Sequence, residues 1–338
     1  MNPAETSTAP VKTNSKEGRK VAWFVARCLL GFAIPWILFY GVFQSLPYLS
    51  SGSDIIYRAK LDREFNGSIF PANASARRVL IFGDSRVLTG FIPDQFDGLA
   101  TADGLNLSSY NSGYPARTAF MPALKEISEN KLNTPDILLL TFPWRSTHFN
   151  AFRPLPEDHD IVDQLFPFRY LPRDILSFLI LSWEHGGVFN FYRNGPLQAA
   201  KMIQDRGYYF LADMSHYPNK TLPDSASLTS DMPHKVDLRV ADPASDELTE
   251  LNRIIQEHHM QCYFVPLPLR AGTLAQGPEI DRSFADLLER STPCKLLGPD
   301  YYLYPNHMFS DYIHLNPEGA KIYTEAIYRL LAKKLQEY

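Results

Sequence analysis

The stretch from Arg77 to Gly90, RRVLIFGDSRVLTG, decides how the rest of the chain is read. Val79, Leu80, Ile81 and Phe82 form an unbroken apolar run with charge on one side and glycine on the other, which predicts a strand buried on both faces. Gly83-Asp84-Ser85-Arg86 follows, so Ser85 stands where the strand stops. Ligands of open α/β sheets bind just beyond the carboxyl ends of strands, which puts this hydroxyl at the mouth of a cleft. A serine becomes a nucleophile only with a base in hydrogen-bond reach and a group that holds the base's tautomer. Asp311-Tyr312-Ile313-His314, near the other end of the chain, supplies both residue types.

Outward from this stretch the pattern repeats. Pro93 opens a short helix, Leu105 to Gly113 reads as a second strand, and Ala116 to Lys131 carries Phe120, Ala123, Leu124 and Ile127 at helical spacing. Asp136 to Phe142 is again apolar throughout, and continuous apolar strands alternating with helices predict a parallel sheet covered on both faces. The fold class is therefore α/β, a three-layer parallel sheet flanked by helices. A helix over Asp246 to His259 and a strand over Cys262 to Leu267, interrupted by Pro266 and Pro268, resume the pattern. Asn316 and Pro317 suit the N-cap and first position of a helix running from Glu318 to Glu337, so Asp311 and His314 fall in the turn that feeds it. Between about residues 150 and 242 the pattern lapses, with helical segments near Ile175 to Trp183 and Leu197 to Asp205 and a polar loop from Asp213 to His234. Insertions of this size form lids or accessory lobes over an active face. Its aromatic and arginine side chains suit either a carbohydrate surface or the packing of a small subdomain.

The chain has 338 residues, 45% of them hydrophobic, and a net charge of -4, so it can bury one large core or two modest ones and has no basic surplus for nucleic acid. Of its three cysteines, Cys28 lies in an apolar segment, leaving Cys262 and Cys294 as either a bridge or two buried thiols. Residues 1–20 are polar and read as a disordered tail. Residues 21–49 hold about twenty uncharged residues after Arg27, enough to cross a hydrocarbon core as a helix, with Pro35 as a tolerated kink. Lys12, Lys16, Arg19, Lys20 and Arg27 precede the segment, which predicts a cytoplasmic N-terminus and an extracytoplasmic domain from residue 50 to 338. The competing reading is a cleaved signal peptide. His258 and His259 adjoin on a helix and point apart, and no metal or cofactor is expected.

Gly83-Asp84-Ser85 and Asp311-x-x-His314 resemble the first and last motif blocks of the SGNH (GDSL-type) hydrolase superfamily, whose fold is flavodoxin-like. The resemblance covers roughly residues 77–145 and 245–335. It implies that Ser85, His314 and Asp311 are nucleophile, base and orienting acid, and that the N–H groups of Ser85 and Gly113 form an oxyanion hole. The family's third block, Gly-x-Asn-Asp, is replaced here by Pro143-Trp144-Arg145-Ser146. Either Trp144 or Arg145 then substitutes as oxyanion donor or substrate contact, or the hole is made from backbone groups alone; Asp84 and Arg86 are further candidate substrate contacts.

The combination of an N-terminal anchor, an external domain and an irregular third block looks similar to the alginate acetylation proteins of Gram-negative bacteria and the DltD family of Gram-positive cell walls. That resemblance implies O-acetyl transfer to an exported polysaccharide beside a membrane-bound acyl-transporting partner, on a single-pass protein of the bacterial inner membrane with its domain in the periplasm. Alternatives are a periplasmic carbohydrate acetylesterase or lipase, a non-catalytic scaffold of a polymer export complex, and a luminal glycoprotein, since Asn66, Asn73, Asn106 and Asn219 begin glycosylation triplets.

Overall fold

The computed structural model describes residues 15–45, 52–71, 75–114, 120–141, 183, 187–211, 215–226, 246–270, 289–298 and 302–337. Its elements are helices α1 (Ser15–Ser45) and α2 (Gly52–Asn66), strand β1 (Arg77–Gly83), helices α3 (Ser85–Gly90) and α4 (Pro93–Ala102), strand β2 (Leu107–Gly113) and helix α5 (Phe120–Glu129). Strand β3 (Ile137–Leu140), helices α6 (Val188–Gln204) and α7 (Asp246–Glu257), strands β4 (Gln261–Phe264), β5 (Pro268–Arg270), β6 (Lys295–Leu296) and β7 (Tyr302–Tyr304), and helix α8 (Pro317–Gln336) follow.

The main sheet has five strands in the order β2-β1-β3-β4-β6, all parallel. Strand order reverses at β1, with β2 on one side and the later strands on the other, which opens a crevice at the carboxyl end of β1. Ser85 is two residues past the end of that strand.

Side chains alternate along the strands and feed two cores. Leu80, Phe82, Leu138, Leu140 and Phe264 pack with Leu124 and Ile127 of α5 and with Leu251, Ile254 and Ile255 of α7. Val79, Ile81, Ile137, Leu139 and Tyr263 pack on the other face with Phe96 of α4 and with Tyr323, Ile327 and Leu331 of α8. The result is the three-layer parallel arrangement that the apolar strands predict. The expected strand over Cys262–Leu267 ends earlier, at Phe264, and the chain starts a second, two-stranded parallel sheet of β5 and β7. Pro266 and Pro268, which lack N–H donors, account for the break. Cys262 of β4 is bridged to Cys294, with Cα atoms 4.4 Å apart.

Helix α1 contains a stretch from Gly18 to Leu38 with mean hydropathy 1.9, long and apolar enough to cross a membrane and with none of it buried against the domain. The helix begins at Ser15, so the expected disordered tail over 1–20 is corrected for residues 15–20; residues 1–14 lie outside the described residues. Lys16, Glu17, Arg19 and Lys20 are good helix formers, and an apolar helix extends into them at little cost.

The described parts of the insertion, 187–211 and 215–226, pack against two different places on the domain. The turn after α6 lies along the free edge of β2, where Arg206 O accepts from Asn111 N–H (3.0 Å) and the Arg206 guanidinium pairs with Asp94 and Asp97 of α4. Covering an edge strand in this way blocks stray strand pairing. Residues 215–226 instead brace the segment before α8: Leu222 N–H donates to Phe309 O (2.8 Å), Ser215 Oγ to Ser310 O (2.5 Å) and Asn306 Nδ2 to Ala226 O (3.1 Å). The remaining residues of 150–242, including the helix expected over 175–183 apart from Trp183, lie outside the described residues.

Candidate active site

At the carboxyl end of β1 the backbone must turn sharply between two neighbours. A side chain at Gly83 would overlap Thr141 Oγ1 of the segment after β3 and Val87 of α3, so only glycine lets strand and helix meet there. Asp84 then caps α3, its Oδ1 accepting from Arg86 N–H at 2.9 Å, and Ser85 is the first helical residue. This short helix has no counterpart in the sequence reading. Ser85 N–H has no hydrogen-bond partner among the described residues.

The other half of the site is a tight turn held by its own backbone. Ser310 N–H donates to His314 O (2.8 Å), and Phe309 and Leu315 form an isolated antiparallel bridge. Asp311 Oδ1 accepts from the N–H groups of Ile313 (2.8 Å) and His314 (2.7 Å). Asn316 caps α8 by accepting from Gly319 N–H at 3.0 Å, while its Nδ2 donates to His307 O at 2.7 Å. His307 itself thus serves the turn through its backbone.

This turn carries the two side chains to the hydroxyl. Asp311 Oδ2 is 2.8 Å from His314 Nδ1, and His314 Nε2 is 2.8 Å from Ser85 Oγ. Burial raises the Asp311 carboxyl, but its bonds to the His314 ring and to two backbone N–H groups outweigh that and hold it below the usual carboxylate range. An ionised carboxylate only accepts, so the proton of the neutral imidazole sits on Nδ1 and the Nε2 lone pair faces the Ser85 hydroxyl. The His314 and Asp311 side chains are 10% and 19% exposed, which leaves the chain of bonds covered but reachable.

The other expected site residues fall differently. Gly113 ends β2 opposite Gly83, but its N–H donates to Asn111 Oδ1 at 2.8 Å, and a side chain there would overlap the Leu88 backbone of α3. The oxyanion role expected for it is corrected: this glycine allows β2 and α3 to touch, and its donor is spent. Asn111, which the sequence reading passed over, is the fastener; its Nδ2 donates to the carbonyls of Val87 (2.8 Å) and Phe91 (2.7 Å) and pins the serine-bearing helix to the sheet. Asp84 and Arg86 face one another, with Arg86 Nε 3.0 Å from Asp84 Oδ2. Burial raises the Asp84 carboxyl, and the Arg86 charge and bonds bring it below its ordinary value; Asp84 serves the cap, and Arg86 pairs with it. Trp144 and Arg145 lie outside the described residues.

No protein-family model matches the chain, and no curated protein matches it. Among solved structures it is similar to a lipase/acylhydrolase from Enterococcus faecalis, at 13% identity and TM-score 0.35 over 76% of this chain and 96% of that one. It is also similar to AlinE4, an SGNH-hydrolase family esterase, at 13% identity and TM-score 0.32 over 78% of this chain and 99% of that one.

Proposed function

We propose that this protein is an SGNH-type serine acyl enzyme that takes an acyl group from an ester and passes it to water or to a second hydroxyl. The observation that carries the reading is the unbroken Asp311–His314–Ser85 chain of hydrogen bonds at the carboxyl end of β1. Ser85 Oγ attacks the ester carbonyl as its proton moves to His314 Nε2, while Asp311 holds the imidazole and stabilises its charged form. The Oγ–C bond forms, the alkoxide leaves with the proton from His314, and an acyl-Ser85 ester remains. An incoming hydroxyl then gives its proton to His314 as it attacks that ester, and Ser85 is restored. Ser85 N–H at the start of α3, without a hydrogen-bond partner among the described residues, is the donor this reading assigns to the developing oxyanion. Trp144 and Arg145 remain the proposed further contacts.

Within this reading we favour O-acetyl transfer to an exported polysaccharide, with acetylester hydrolysis as the neighbouring outcome. Two observations support an extracytoplasmic domain on a membrane anchor. The stretch Gly18–Leu38 is long and apolar enough to cross a membrane and is not buried inside the domain, and the Cys262–Cys294 bridge suits an oxidising compartment. An anchor also raises the effective concentration of the domain near a membrane-bound acyl donor.

The test is the full-length protein in detergent with a chromogenic acetyl ester, with and without oligosaccharide acceptors, beside Ser85→Ala. Acetyl added to the sugar by the wild type alone supports the transferase; acetate release alone, equally dependent on Ser85, supports the esterase. Equal behaviour of wild type and variant defeats the acyl-enzyme reading and leaves a scaffold.

A further inference from the structure

Arg270 closes β5, six residues after the end of β4 at Phe264, and so lies on the same carboxyl side of that sheet as Ser85. The segment is fixed: Tyr323 Oη of α8 donates to Pro266 O at 2.8 Å, and β5 is paired along its length with β7. Arg270 is 2% exposed, yet its Nε and Nη1 make no hydrogen bond, and no carboxylate among the described residues pairs with it. Its guanidinium lies over the ring of Tyr312, with Cζ 5.1 Å from the centroid, and Tyr312 stands between Asp311 and His314. Tyr217 meets the Tyr312 ring edge-on at 6.3 Å, and both rings are part-exposed.

The other buried or half-buried cations among the described residues of this domain are satisfied. Arg86 has Asp84, Arg206 has Asp94 and Asp97, and Lys60 has the Asn111 carbonyl. Arg270 alone among these is a fixed charge with idle donors, and burial pushes its guanidinium below its ordinary value. A buried donor left unmade is costly, and one kept beside a catalytic turn calls for a partner that arrives from outside. A guanidinium with free N–H groups in a half-dry setting selects planar or tetrahedral oxyanions, and the Tyr312 and Tyr217 rings suit the body of a sugar or similar scaffold carrying one.

Resting on the acyl-enzyme reading, we propose that Arg270, walled by Tyr312 and Tyr217, is an anion subsite that recognises a carboxylate or phosphate on the ester substrate or acceptor. The subsite sets specificity and makes no bond to the reacting carbonyl. Arg270 is thus a binding residue, not a catalytic one.

The test uses the full-length protein in detergent and three acetylated methyl glucosides that differ only at C6: the neutral alcohol, the carboxylate and the phosphate. Wild type is expected to favour an anionic ester over the neutral one by about tenfold or more in kcat/KM, mainly through KM. Which anion leads identifies the source. Arg270→Met is expected to reduce that preference to within about twofold, and Arg270→Lys, which keeps the charge but loses the planar fork, to leave an intermediate preference. A second arm needs no turnover: the unacetylated glucuronide or sugar phosphate should raise the melting temperature of Ser85→Ala, and the neutral glucoside should not. Acetate release that depends on Ser85 but shows no anion preference, or an anion preference kept by both Arg270 variants, overturns the subsite and leaves the acyl enzyme standing. Acetate release equal in wild type and Ser85→Ala defeats the acyl enzyme instead, and the thermal shift then decides the subsite alone. If Arg270→Met does not fold, the wild-type preference, the Arg270→Lys profile and the thermal shift carry the decision.

Discussion

Two ionisable clusters lie at the carboxyl ends of the neighbouring strands β1 and β2 and behave in opposite ways. One is Ser85, His314 and Asp311, part-exposed at the carboxyl end of β1. The other is Lys60 and Glu64 of α2, both with no exposed surface. Lys60 Nζ donates to the Asn111 carbonyl on the edge of β2, and Glu64 accepts from Ser112 Oγ at 2.9 Å and from Tyr114 Oη. Burial drives Glu64 up to about 7 against the pull of Lys60 and its hydroxyl partners, and drives Lys60 down to about 7 against the pull of Glu64. Strongly displaced titration is thus found where no substrate reaches. Access and position at the strand-order reversal, rather than the size of a shift, separate a reaction centre from a buried fastening.

Removing Ser85 is the strongest way to probe the contrast. Ser85→Ala should lower ester turnover on the order of 10⁴-fold with the fold unchanged by circular dichroism, and Asp311→Asn should fall short of that by leaving the base present but badly oriented. Lys60→Met should retain turnover wherever it remains folded. If it loses activity as completely as Ser85→Ala without unfolding, the two clusters are one functional unit and the contrast fails.

Stability should show the reverse ranking. Lys60→Met or Glu64→Gln alone leaves a buried ionisable or polar partner uncompensated and should cost about 3–5 kcal/mol in chemical denaturation. The pair of substitutions together should cost less than their sum, because neither partner is then stranded. Strict additivity would mean that the two side chains do not depend on one another.

The smallest effect is the sign of the pH response. Glu64, raised from 4.5, gives its full contribution below that ordinary value and loses it as pH climbs toward about 7. Lys60, lowered from 10.5, contributes fully above that value and loses the contribution as pH falls toward about 7. Relative to the double variant, the wild type should therefore pass through a shallow minimum near neutrality, on the order of 1–3 kcal/mol deep. Asp84 and Asp311, held low, act in the opposite sense: they stabilise above the ordinary carboxyl value of 3.8, and this is lost as pH falls through it. A flat difference curve between pH 5 and 9 would mean that the buried pair keeps its charges throughout.

The same contrast marks what the sequence could reveal. Apolar runs such as Val79–Phe82 and Ile137–Leu140 announce buried strands, and Gly83-Asp84-Ser85 with Asp311-x-x-His314 announce their chemistry, because each feature is local and its spacing carries the meaning. Asn316-Pro317 likewise marks the start of α8. Lys60 and Glu64 on α2 were illegible, since charge on a helix ordinarily signals solvent and only the tertiary fold buries these two. Asn111 was hidden because its partners, Val87 and the C-cap residue Phe91, belong to or end a six-residue helix too short to leave a periodic signal. Gly113 misled for a related reason: a glycine at a strand end fits an open donor and a close helix contact equally well, and only the position of Leu88 decides between them.

The bond between His314 Nε2 and Ser85 Oγ spans 229 positions of the chain. During synthesis the hydroxyl emerges early and waits for about two-thirds of the chain before its base is made. Under the proposed acyl-enzyme reading, a stalled or clipped chain therefore carries a serine that is chemically ordinary until the closing helix has docked. Completion of the molecule is in this way its own licence to act.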